Sequence, residues 1–223
     1  EQAGQGEAAE AIRVQWDERH GGGGLIELER AWAARMRGAD ATDHLLRARE
    51  RAPGRVDARV QSLAEAIRTD DRPQEQQLRD ELLPLTSSAS FRLQPALVAD
   101  VAFAYVASGR PQPAVDLLRV ELGRARADLS TTTEKRREDW TLRLRRLLGV
   151  ASALRPHVGA AGAPLDDELA MVSDEAIPYR FGACAVRLVE GGEEARNEVA
   201  EEVAGRRCPP TPQVEALLRR PVP

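Results

Sequence analysis

Apolar residues along this chain fall three and four apart, jump, and fall four apart again. Val98, Val101 and Tyr105 share one helical face, and Ala114 and Leu118 share another after the Gly109-Arg110-Pro111 turn. The steps 3, 4, 9 and 4 recur at Leu25, Leu28, Trp32, Ala41 and Leu45, at a constant offset of 73 residues. Val60, Leu63, Ile67, Leu78 and Leu82 keep the pattern with a longer turn, as do Phe181, Cys184, Leu188, Val199 and Val203. Leu144, Leu147, Ala151, Leu165 and Leu169 fit with a turn longer still. This periodicity predicts helices over 7–19, 25–37, 41–52, 56–67 and 74–83, a pair within 95–126, and further helices over 134–154, 165–172, 179–190, 193–207 and 213–220. Thr131 and Glu134 have capping-box spacing at the start of the longest helix. Segments 84–90 and 155–164 read as a polar linker and a flexible loop. No alternating β-branched run is bounded by hairpin turns, so no strand is predicted.

A helix pair with one apolar stripe per helix cannot bury both stripes alone, whereas stacked pairs bury them continuously. The expected fold is therefore all-α, a solenoid of antiparallel helical hairpins with about 11 or 12 helices. Residues 1–24 form an N-terminal capping helix and a glycine-rich loop. Residues 25–127 carry the hairpins, and 128–223 add C-terminal hairpins and a capping helix continuous with them.

The stretch from Val98 to Leu118 resembles a tetratricopeptide repeat (TPR). Ala102, Tyr105, Gly109 and Ala114 stand where that family places small, aromatic, turn and small residues. Ala41, Leu45, Ala48 and Pro53 match the second half of the motif. Glu29, Glu121 and Arg126 depart from it. The resemblance covers about 25–127 and, more loosely, 135–207. It implies a right-handed superhelix whose first helices line a concave groove for a protein or peptide partner. Outward positions on those helices would then face the groove: Arg30, Gln61, Glu65, Arg68, Ala99 and Phe103. Phe103 lies off the main stripe. It either packs on the neighbouring hairpin or anchors a partner peptide.

Composition narrows the use of such an array. The 223 residues are 42% hydrophobic and 30% charged, a globular balance. A net charge of −4 gives no basic field for nucleic acid. Lys135 is the one lysine among 32 basic residues, a bias suggesting a GC-rich genome. No apolar run reaches transmembrane length, so no membrane insertion is expected. The chain opens on Glu1 without Met, which reads as a trimmed or processed start and slightly favours the cell envelope over the cytoplasm.

Candidate chemistry is sparse. His20 and Gly21–Gly24 look like an oxyanion loop, but the G-x-S-x-G elbow it requires is missing. His20, His44 and His157 lack partners at ligand spacing, so no metal and no cofactor are expected. Asp166-Asp167-Glu168 and Glu193-Glu194 read as helix starts. Lys135, Arg136, Arg137, Arg143, Arg145 and Arg146 surround Trp140 and read as a solvated helix face. Cys184 and Cys208 are disulfide candidates if their segments lie side by side, closing a loop worth ~3 kcal/mol. The favoured function is a non-catalytic adaptor that binds a partner segment in the groove. The alternative is a sensory or regulatory domain holding a small ligand between helices.

Overall fold

The structure, a computed structural model, describes residues 15, 24–36, 39–86, 92–170, 176–205, 208 and 211–219. Among these the protein is all-α, with eleven α-helices, two 3-10 turns and no strand. Apart from Gln15, the expected helix at 7–19 lies outside the described residues, as do His20 and most of the glycine-rich loop.

The helices pack as consecutive pairs. Helices α1 (Leu25–Met36) and α2 (Thr42–Arg51) form the first pair, and α3 (Val56–Arg68) and α4 (Arg72–Thr86) the second. Then come α5 (Pro95–Ala107) with α6 (Pro111–Thr131), and α7 (Glu134–Leu154) with α8 (Ala163–Ala170). The last pair is α9 (Ala183–Glu190) with α10 (Gly192–Ala204), followed by α11 (Pro212–Arg219). Helix α5 is the hub, touching α3, α6, α7 and α11.

Local chemistry sets the ends of these helices. Pro95 and Pro111 open α5 and α6, where a missing N–H costs nothing. Gly109, at φ +75°, closes α5 in a Schellman turn: Arg110 N–H donates to the Tyr105 carbonyl at 2.8 Å, and Gly109 N–H to that of Val106. Asp70, at φ 58°, closes α3 in the same way through Asp71 N–H and the Ala66 carbonyl.

The main core runs from α3 to α8. Val98, Val101, Tyr105, Ala114 and Leu118 are all buried in it, as are Val60, Leu63, Ile67, Leu78 and Leu82. A second small cluster joins α1, α2 and Ala58. A third holds Ala185, Val199, Cys208, Val214 and Leu217, and closes the C-terminal helices on themselves.

Four buried glutamates stitch neighbouring elements. Glu27 of α1 meets His44 of α2 at 2.9 Å, and Glu65 of α3 meets Arg35 of α1 at 3.1 Å. Glu75 of α4 accepts from Arg110 Nη1 with both carboxylate oxygens and from the Tyr105 hydroxyl. Glu121 of α6 accepts from Arg143 of α7 at 2.6 Å. The departure of Glu121 from the repeat motif is thus a buried ion pair between successive helix pairs.

Five expectations are corrected. Leu25 and Trp32 are 39% and 56% exposed. Helix α1 instead buries Ile26, Glu27, Leu28, Ala31 and Ala34, because Glu27 turns inward to His44 and two alanines allow close approach. Helix α4 continues through Pro84 to Thr86, and the remainder of that expected linker lies outside the described residues. Residues 155–162 are two 3-10 turns packed on α6 with Val158 buried, not a loose loop. Residues 179–182 are not helical, and the helix begins at Ala183 after Gly182 at its N-cap. Thr131 ends α6 by donating its hydroxyl back to the Ala127 carbonyl, so Thr133 takes the N-cap position of α7.

Candidate functional site

All six groove candidates lie on the first helices of the first three pairs: Arg30 on α1, Gln61, Glu65 and Arg68 on α3, and Ala99 and Phe103 on α5. Arg30 pairs with Glu27 of its own helix. The Gln61 carbonyl accepts from Arg35 at 3.2 Å. Glu65 is buried between Arg35 and Arg68. Ala99 and Phe103 are fully buried. The face that these residues define is therefore covered around α5, and the protein covers it with its own C-terminal part.

Two elements do this. The first is a strap, residues 176–182, laid across α7. Ile177 N–H donates to the Arg145 carbonyl at 2.9 Å. A side chain at position 149 would stand 1.8 Å from the Ile177 carbonyl oxygen, so Gly149 is what lets the strap pass. Tyr179 stacks on Phe103 at 5.7 Å, and Phe181 meets its edge at 5.8 Å. The exposed-anchor alternative for Phe103 is thereby replaced by an aromatic trio.

The second element is α11, which packs on α5. Gln213 Nε2 donates to Asp100 Oδ1 at 3.0 Å and to the Tyr179 hydroxyl at 3.1 Å. Arg68 of α3 donates to Glu215 at 3.0 Å. Burial pushes the Asp100 carboxyl up, with Gln213 and Arg35 pulling against it. Burial likewise raises the Glu215 carboxyl against the opposing charge of Arg68. Burial and the Asp100 carboxylate push the Tyr179 hydroxyl up to about 12. Burial alone would lower the Arg68 guanidinium's pKa, but Glu65 and Glu215 raise it.

The remaining candidates fall into structural roles. Arg143 leaves the expected solvated stripe and turns inward to Glu121 and the Leu93 carbonyl, because α7 packs on α6 at that point. Trp140 is half-buried. Asp166 pairs with Arg155, and Glu193 and Glu194 are exposed in the first turn of α10. His44 meets Glu27, and His157 lies beside Phe103. Cys184 and Cys208 are joined by a disulfide. Among the described residues, one group of donors lies close enough to share an ion, Cys184, Glu202 and Cys208, and its two sulfurs are bonded to each other. An open cleft of about 800 Å³ lies between the start of α5, α7 and the strap, lined by Pro95, Ala96, Val150, Ile177, Arg146 and Arg180.

Sequence reasoning missed Asp100, Tyr179, Gln213 and Glu215. One signal was present: Asp100 is the single charge in the apolar run Pro95–Ala107. Comparison with known proteins finds no match to this chain among protein-family models, curated proteins or solved structures.

Proposed function

We propose that this protein is a non-catalytic interaction scaffold, a right-handed solenoid of TPR-like hairpins that holds a segment of a partner protein along the face of its first helices. The supporting observation is that this face already accommodates a helix: α11 lies on α5 and reaches Arg68 of α3 through Glu215. Packing between α3 and α5 and between α5 and α7, with Arg35 of α1 reaching Glu65 of α3, is consistent with first helices standing side by side. Polar groups on the face are paired with one another and are not converged on a reacting position, as catalysis would need.

Photo-crosslinking from Gln61 and Arg30 tests this. The expected result is a crosslink to one defined segment of another protein, mapped by mass spectrometry. Crosslinks to a partner only from the opposite side, for instance from exposed Val120, would overturn it. The cleft beside the strap favours a second reading, a regulatory domain with a small ligand, because its volume suits one. That cleft is open and is not lined by Trp140 or Tyr105.

A further inference from the structure

We propose that the α3–α5 face is a receptor for an amphipathic helix carrying a carboxamide and, two residues later, a carboxylate, and that α11 occupies this receptor in cis. The inference rests on the partner-binding reading and names its partner chemistry and its control.

The partition of the core carries it. Val214 and Leu217 of α11 belong to the small C-terminal cluster with Ala185, Val199 and Cys208. Ala216 is the one buried residue of α11 that belongs to the main core. Two polar pairs tie α11 to the same face, Gln213 to Asp100 and Glu215 to Arg68. The larger buried apolar side chains of α11, Val214 and Leu217, thus pack with the C-terminal helices. Phe103 is covered by Tyr179 and Phe181 of the strap, which Ile177 ties to α7. What holds α11 is the kind of contact an interface uses, directional polar pairs around a small apolar centre.

The receptor chemistry is specific. Arg68 is fixed by Glu65 and presents a guanidinium that calls for a carboxylate. Asp100 calls for an N–H donor, because burial without one leaves its carboxylate unsatisfied. Arg68 and Asp100 are met by positions 215 and 213 of α11, with Ala216 seated between the two cores. A partner helix needs the same three features in the same register.

The geometry also makes the receptor conditional. An eight-residue helix does not hold its shape alone in water, so α11 is helical because it is docked. The disulfide at Cys208 ties the chain to α9 just before α11 begins, which keeps the cis helix at high effective concentration. A partner presented in trans competes only when α11 is loosened.

The test uses the full chain and a fluorescent peptide of residues 209–223 as the probe. Glu215→Arg sets two like charges together at Arg68 and releases α11. The labelled peptide should bind that variant at least about tenfold tighter than it binds the unaltered chain, as expected for one charge-assisted pair. A peptide with Arg at the position of Glu215, or the variant with an added Arg68→Ala, should lose that gain. Ala216→Arg, which wedges the same contact without touching the ion pair, serves if Glu215→Arg melts early. A released variant with native helicity and no peptide binding overturns the proposal, as does equal binding of a scrambled peptide. Partner crosslinks from Gln61 that do not rise in Glu215→Arg and are unchanged by an added Arg68→Ala would show that this inference alone has failed and that the scaffold reading stands.

Discussion

Gly123 and Gly149 both sit inside long helices, and they stand there for opposite reasons. Nothing lies within 4 Å of where a methyl at position 123 would fall, so Gly123→Ala gains helix propensity and restricts the unfolded chain. It should stabilise the protein by about 0.5–1 kcal/mol, read as a higher melting temperature. Gly149→Ala offers the same gain but drives its methyl into the Ile177 carbonyl. It should instead lower the melting temperature and loosen Tyr179 and Phe181 from Phe103. A second residue-scale outcome concerns protons. The chain has two tyrosines, and burial pushes both hydroxyls above their ordinary value of 10.0. Folded protein at pH 10.0 should therefore show less tyrosinate absorbance than the unfolded chain, with Tyr179 ionising near 12. The folded state keeps these protons where the unfolded state loses them. Stability from Tyr179 is thus full below pH 10.0 and is lost as pH rises towards 12. Asp100 follows the same sign at the acid end: its raised carboxyl favours the fold below about 3.8 and progressively less as pH climbs through its raised value. Asp100→Asn should flatten that part of the stability-against-pH curve, measured against the unaltered chain.

At the scale of elements, the disulfide bears most directly on α9, α10 and α11. These helices share only a small apolar cluster, and small cores are marginal without a covalent staple. Replacing Cys184 and Cys208 with serine should cost about 3 kcal/mol on the chain-entropy argument. Adding a thiol reductant to the unaltered chain should produce a loss of similar size, seen by thermal melting. The same scale explains what could be read in advance. The stripe from Val98 to Leu118 is buried throughout, and on α5 the burial extends to every face because α3, α6, α7 and α11 pack around it. The stripe at Leu25 and Trp32 misleads because α1 buries alanines and a glutamate, which a hydrophobic pattern ranks below tryptophan. The helix expected over 179–190 starts late because Pro178 and Gly182 bound the strap. Docking of α11 was invisible for a different reason. It depends on Gln213, Glu215, Asp100 and Arg68, which are distant in sequence and individually ordinary.

For the molecule as a whole, the decisive feature is that apolar burial is divided. One large cluster runs from α3 to α8, and a separate small one closes α9, α10 and α11. The seam between them includes Ala216, the partly buried Phe181, and the pairs Gln213–Asp100 and Glu215–Arg68. Cooperative opening follows the density of buried contacts, so the two regions should open at different free energies. Hydrogen exchange in the folded state should show α3, α5 and α7 exchanging slowest and together. Amides of 183–204 and 212–219 should form a faster class of their own. Reductant should accelerate that second class and leave the first unchanged, because the cross-link from Cys184 to Cys208 lies wholly within it. Glu215→Arg should separate the two effects, speeding exchange in α11 and the facing turn of α3 while the disulfide keeps α9 and α10 protected. A single exchange class across both regions would mean that α11 is an integral part of one core, and that its seat on α5 is not a surface that a partner can claim.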